Sequence, residues 1–238
     1  MYAFLLYFVC QAEPVPPLDI LKDAEKSLRF DAQEVEAVLS VETARRNKEY
    51  TLSIYQKDTR AAVEFHSPRR EKGTKYLRKE DALWMYLPSI EKTQRIVGHM
   101  LQQGVMGSDI SYDELLQSPM WAERYQIEKY EDVLLWEQET LHITLLATEN
   151  GALYPRRELW IEKTQKVPMR ELVYDASGTV HKEWIRSQIA KIGDKWMAHQ
   201  IEVQNKLHTQ SKTTIFIKKI EENPDLSEDF FLHRWLER

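Results

Sequence analysis

From Asp31 onward, apolar and polar residues alternate along the chain with a period of two. Val35, Ala37, Leu39 and Val41 interleave with Glu36, Val38, Ser40 and Glu42, and Tyr50, Leu52 and Ile54 with Thr51, Ser53 and Tyr55. Ala61, Val63 and Phe65 continue the pattern after Asp58-Thr59-Arg60, a segment with hairpin-turn character. Successive strand side chains point to opposite faces, so this alternation predicts strands with one buried face. Similar runs cover Thr74–Leu77, Ala82–Leu87, Gln94–Val97, Tyr125–Tyr130, Thr140–Thr148, Arg157–Ile161, Met169–Tyr174, Val180–Ile189, Trp196–Val203 and Thr213–Ile220. Glu149-Asn150-Gly151, Asp175-Ala176-Ser177-Gly178 and Ile192-Gly193-Asp194 supply turn chemistry between several of them. Hairpin-length gaps imply antiparallel neighbours and a mainly β (α+β) fold of about eleven strands.

Two segments depart from the period of two. Leu18–Phe30 places Leu18, Leu21, Ala24 and Leu28 at three- and four-residue spacing, which predicts a short amphipathic helix with Asp19 as a possible cap. Ser108–Trp121 is the second. Ser111-Tyr112-Asp113-Glu114 matches the S/T-x-x-E capping box, Ser108 and Asp109 offer another start, and Pro119 ends it. Two modest helices cover a large sheet poorly, which hints at a cavity. A closed barrel or a sandwich satisfies the same pattern.

Composition narrows the functional classes. The net charge of −5 argues against nucleic acid as a partner, because phosphate neutralisation needs a basic face. Met1 to Ala12 carry no charge, and the apolar run from Ala3 to Cys10 is shorter than the roughly 20 residues that span a bilayer. It reads as a secretory signal over residues 1–12, although no basic residue precedes it. A buried N-terminal strand is the alternative. Glu13 to Pro17 then form an extended spacer ahead of a single domain at 18–238. Cys10 is the sole cysteine, and Tyr7, Phe8 and Val9 before it do not match a lipidation motif.

Reactive chemistry is not visible. Seven histidines stand singly, without metal-ligand spacing, and no nucleotide-binding glycine motif occurs, so no metal or other cofactor is expected. Gly107-Ser108-Asp109 lacks the G-x-S-x-G pattern of a hydrolase elbow. Arg69-Arg70 and Arg156-Arg157 read as solvated strand ends. The unusual stretch is VGHMLQQGVMGSDISYDELLQSPMW, with Gly98, Gly104 and Gly107 among Met100 and Met106. Backbone freedom and adaptable apolar side chains suit a flap over a nonpolar cavity. A core-facing loop with three turns is the alternative reading.

The run from Ser67 to Leu115 supplies Pro68, Gly73-Thr74, Leu83 to Pro88, Arg95-Ile96, Gly98, Met106 to Asp109, Ser111 and Glu114. In this it resembles the outer-membrane lipoprotein-sorting-protein-like family, distant relatives of the periplasmic lipoprotein carrier LolA. Ile110 replaces the usual phenylalanine and keeps the apolar character. Tyr154, Leu159-Trp160-Ile161, Tyr174-Asp175, Gly178 and Phe230 to Leu236 extend the likeness over nearly all of the chain after residue 18.

The resemblance implies an unclosed, strongly curved antiparallel β-barrel whose concave apolar face is plugged by a few helices. It also implies export to the periplasm and a lipid or lipoprotein acyl chain as ligand, without catalysis. An inner-membrane transporter or an outer-membrane acceptor is the implied protein partner. On this reading Trp84, Tyr86, Met100, Met106, Leu115 and Trp121 line the cavity. Gly98, Gly104 and Gly107 give a lid, with helix Ser108–Ser118 behind them and Arg95 anchoring the glycine-rich backbone. A lipid-sensing accessory subunit that docks on a transporter uses the same fold, and an envelope hydrolase would need a nucleophile–base pair.

Overall fold

The computed structural model describes residues 15–80, 82–116, 119–207 and 211–238. The signal-like start, Cys10 and the first two spacer residues lie outside them. In chain order the elements are α1 (Pro17–Lys26), β1 (Ala32–Thr43), β2 (Arg46–Lys57), β3 (Arg60–Ser67), β4 (Lys75–Lys79), β5 (Ala82–Leu87) and β6 (Lys92–Ile96). Then follow α2 (Tyr112–Leu116), α3 (Trp121–Arg124), β7 (Tyr125–Leu135), β8 (Gln138–Ala147), β9 (Arg156–Glu162) and β10 (Pro168–Tyr174). β11 (Val180–Ile192), β12 (Lys195–Asn205), β13 (Ser211–Glu222) and α4 (His233–Leu236) complete the chain.

Every strand-like run of the sequence becomes a strand, so the sheet has thirteen strands and not eleven. All neighbours are antiparallel, and all but one pair are consecutive in sequence. The exception joins β1 to β13, with Leu39 opposite Ile215 and Val35 opposite Ile220. The sheet is strongly curved and not closed. Its two edges are β6 and β7, which follow one another in sequence. The segment between them, residues 97–124, therefore spans from one edge of the open barrel to the other. It holds two 3-10 turns, at Gly98–Gln102 and Val105–Gly107, together with α2 and α3.

This segment covers the concave inner face. Val105, Ile110 and Leu116 are buried against Val35, Ala37, Leu39, Leu52, Val63, Phe65, Leu83 and Met85. A second inner cluster packs Ile20, Leu21 and Ala24 of α1 with Trp121 on Leu141, Ile143, Leu145, Leu159 and Ile161. Pro17 is the first helical residue of α1, where its missing N–H is not needed. Asp19 lies in the first turn and does not cap it, and the helix ends at Lys26, short of Phe30. The helix expected to start at Ser108 to Ser111 and to end at Pro119 is the short α2, and beyond Pro119 a separate turn, α3, follows Met120, which takes a left-handed conformation.

The outer face is also covered where β2 to β5 lie. Residues after β13 cross it, and Leu226, Phe231, Trp235 and Leu236 pack on Tyr55, Ala62 and Leu77, with Trp84 and Tyr86 alongside. Lys75 Nζ donates to Trp235 O at 3.1 Å and to Arg238 O at 2.8 Å, which fixes this last segment.

Candidate functional site

Between the plug and the inner face lies a cavity of about 260 Å³. Its wall is aliphatic where the central strands meet: Val35 and Ala37 of β1, Ile54 of β2, Ile201 of β12, and Ile215 and Ile217 of β13. Alternation puts these residues on one face, and the registers Val35–Ile54, Ala37–Ile217 and Ile201–Ile215 set them side by side. Ile110 and Leu115 of the plug close the opposite side. A larger cleft of about 400 Å³ lies beside α1 and α3, but Lys22, Glu25, Lys26, Arg29, Glu123 and Lys195 line it. An apolar ligand gains little there.

The end of the cavity toward β9, β10 and β11 is polar. Arg157 donates to Glu171 Oε1 at 2.6 Å, and Arg186 donates to Glu171 Oε2 at 3.3 Å and to Pro168 O at 3.2 Å. The exposures of the three side chains are 15%, 3% and 7% for Arg157, Glu171 and Arg186, so the charges are held almost out of water. Burial opposes the charge of Arg157, yet Glu171 and Tyr125 hold its pKa above the ordinary value. For Arg186 burial prevails over Glu171 and lowers the pKa. The sequence reading of Arg156-Arg157 as a solvated strand end is therefore corrected at Arg157. Alternation along β9 turns Arg157 inward with Leu159 and Ile161.

A hydrogen-bond network ties the plug to this polar end. The capping box of α2 forms as predicted, with Ser111 N donating to Glu114 Oε2 at 2.8 Å and Glu114 N donating to Ser111 Oγ at 3.2 Å. Glu114 also accepts from Lys182 Nζ at 2.6 Å and from Tyr154 Oη at 3.1 Å. Burial raises the pKa of Glu114, but Lys182 and Ser111 outweigh it and hold the carboxyl below its usual range. Tyr125 Oη donates to Tyr154 O and accepts from Arg157 Nε, which links that set to the arginine pair.

The glycine-rich half of the plug is fastened separately. Asp109 Oδ1 accepts from Ser211 Oγ at 2.6 Å, Asp109 Oδ2 accepts from Thr213 Oγ1 at 3.0 Å, and Asp109 N donates back to Thr213 Oγ1 at 2.8 Å. Asp109 thus docks the loop on β13 and caps no helix. Ser108 Oγ is engaged with the backbone of Ile110, in keeping with a structural part in this turn. A Cβ on Gly104 would sit 1.9 Å from Ser108 O, so the loop closes only around a residue without a side chain. Gly98 and Gly107 have positive φ and open space around them.

The predicted lining residues divide between the two faces. Leu115 lines the cavity, and Met100 and Met106 pack on the same inner core. Trp121 is fully buried with α1 in the neighbouring cluster. Trp84 and Tyr86 lie on the outer face beneath the C-terminal segment, whereas Leu83 and Met85 point inward. Arg95 is opposite Trp84 across the β5–β6 pair and its guanidinium lies 5.9 Å from the Trp84 ring. It stands on the outer face and not under the glycine-rich backbone it was expected to hold. The polar residues Arg157, Glu171, Lys182 and Arg186 were not anticipated. Their signal was present, since each falls on the inward position of an alternating strand.

A family profile described as "uncharacterized protein"-like matches residues 57–238. No curated protein matches the sequence. Among solved structures, the fold is similar to a domain assigned to outer membrane lipoprotein sorting in Vibrio parahaemolyticus. The TM-score is 0.81 at 21% identity, covering 93% of this chain and 98% of that one. A DUF1329 family protein from Desulfovibrio piger gives a TM-score of 0.83 at 22% identity over 92% and 97% of the two chains. A LolA superfamily protein from Nitrosomonas europaea gives 0.78 at 16% identity over 93% and 100%.

Proposed function

We propose, from the premise that this chain belongs to the family matched over residues 57–238 and shares its open-barrel fold with a domain assigned to outer membrane lipoprotein sorting and with a LolA superfamily protein, that it is a periplasmic carrier that holds a lipid or lipoprotein acyl chain. The observation that carries this reading is the aliphatic cavity of about 260 Å³ under a plug strung between the two sheet edges. Each buried CH₂ contributes roughly 0.8 kcal/mol, so a partly inserted chain binds well without any specific contact. Release is then the harder step, and it falls to the plug. The described residues of the segment 97–124 are joined to the sheet edges at both ends and held across the middle by polar links and by the buried Val105, Ile110, Leu116 and Trp121, so on this reading they act as a lid that opens by partly unpacking. Met100, Met106 and Leu115 move with it. Extracting purified protein with organic solvent and running mass spectrometry tests the reading. About one acyl species per chain supports it, whereas protein that carries none and takes up no fluorescent fatty acid contradicts it.

A second reading is a lipid-sensing accessory subunit that docks on an envelope transporter. The β7–β8 hairpin favours it, because Tyr130 and Leu134 on the edge strand β7 are 56% and 72% exposed and Trp136 in the hairpin turn is 53% exposed. Exposed apolar side chains beside an unpaired strand edge suit a protein contact. A stoichiometric membrane partner without cargo transfer would select this reading over the first.

A further inference from the structure

The charges around the cavity do not balance. Arg29, Arg124, Arg157 and Arg186 line it with Asp113, Glu114 and Glu171, and Arg124 and Asp113 are themselves engaged. Two of those carboxylates are already neutralised from behind, Glu114 by Lys182 at 2.6 Å and Asp113 by Arg78 at 2.6 Å. Glu171 alone is shared by Arg157 and Arg186. Arginine does not lose its proton in proteins, so this buried triad keeps one positive charge in excess. A buried charge is costly unless it is paired, and an anion entering from the cavity would complete the pairing. Two guanidinium groups beside an aliphatic wall are suited to an oxygen anion that carries a chain.

Size limits the chain. A cavity of about 150 Å³ lined by apolar side chains takes a benzene ring, so the 260 Å³ present with the plug in place fit a single acyl segment. We propose that the ligand is a single-chain anionic amphiphile, its tail along Ile54, Ile201, Ile215 and Ile217 and its carboxylate or phosphate accepting from Arg157 and Arg186. This rests on the carrier reading above and narrows it, because a neutral multi-chain anchor would leave the excess charge unmatched.

The test uses the full chain loaded with the neutral fluorescent probe N-phenylnaphthylamine. Myristate, myristyl phosphate and myristyl alcohol share one tail, so displacement of the probe compares head groups alone. The two anions are expected to displace it at concentrations roughly tenfold or more below the alcohol. The tighter of the two tells a fatty acid from a phosphate head. Arg186→Met leaves Arg157 and Glu171 as a balanced pair and is expected to fold and to bring the anions down to the alcohol. Arg186→Lys keeps the charge and is expected to retain part of the preference. If Arg186→Met does not fold, the wild-type comparison still decides. Equal displacement by all three would overturn the anionic preference and leave the cavity in place. Displacement by inorganic phosphate as readily as by myristyl phosphate would overturn the amphiphile. A chain that binds neither probe nor any tail would overturn the carrier reading itself.

Discussion

Glu114 on the plug and Lys182 on β11 meet at 2.6 Å across the inner face, and both are largely buried. This contact is the shortest tie between the lid and the sheet at the polar end of the cavity. Removing one partner of a buried pair leaves the other charge exposed to a low-dielectric surrounding, and the loss is typically about 3–5 kcal/mol. Glu114 also caps α2 and accepts from Tyr154, so Glu114→Ala is expected to lie at the upper end of that range. Lys182→Met is expected to lie lower. Urea denaturation read by tryptophan fluorescence checks the order, and equal effects below about 1 kcal/mol would show the tie to be of little weight.

The same pair gives a pH dependence with a definite sign. Lys182 and Ser111 outweigh the effect of burial on Glu114, so its folded pKa lies below the ordinary value of 4.5. A depressed carboxyl stabilises the fold above its unfolded pKa and stops doing so as pH falls through the folded pKa. The wild type is therefore expected to lose more stability than Glu114→Gln as pH falls from about 5 through the folded pKa of Glu114. Parallel stability curves for the two proteins would remove Glu114 from the acid response.

The two faces of the sheet separate ligand binding from stability. Ile215→Glu places a charge in the aliphatic wall, and Met100→Glu places one under the lid, so both are expected to reduce uptake of a fluorescent fatty acid about tenfold or more. Trp84→Ala acts on the outer face, where it removes packing against the C-terminal segment. It is expected to lower stability by up to about 3 kcal/mol while the folded protein binds as before. Loss of uptake in Trp84→Ala at full folding would place the ligand on the wrong face.

Gly104 is expected to be the least replaceable glycine of the lid. Its Cβ would overlap the Ser108 carbonyl oxygen, and that carbonyl belongs to the turn that presents Asp109 to Thr213. Gly104→Ala should raise amide exchange across residues 98–111. Gly98→Ala has open space and pays only the left-handed backbone strain, about 1 kcal/mol. Matching exchange rates in the two variants would mean that the loop has room to rearrange.

The legible part of the fold was the part written in period-two alternation. β1 buries mainly one face, and β2 and β3 keep the same inward phase even where Tyr55 and Ala62 are covered on the outside, so their strands, turns and inward residues follow from the sequence. The capping box at Ser111 and Glu114 was equally readable, because its two hydrogen bonds are local. The family block carried the open barrel, which alternation alone did not separate from a closed barrel or a sandwich. β5 failed for a physical reason. Ala82–Leu87 is covered on both faces, inside by the plug and outside by residues after β13, so its apolar run has no polar phase to set the face. The carrier reading therefore placed Trp84 and Tyr86 in the cavity with no polar phase to oppose it. The opposite failure hid Arg157, Lys182 and Arg186, whose charge suggested a wet face although partners distant in sequence keep Lys182 and Arg186 buried and Arg157 largely so.

The central claim is that an acyl chain lies between the plug and the inner face, and Trp184, which lines that cavity, reports on it directly. Brominated myristate quenches an indole only at close range, so its titration into wild type and Trp184→Phe locates the chain. The account predicts saturable quenching at about one ligand per chain in the wild type, with most of it lost in the variant. Quenching that is unchanged in Trp184→Phe, or that never saturates, would contradict it.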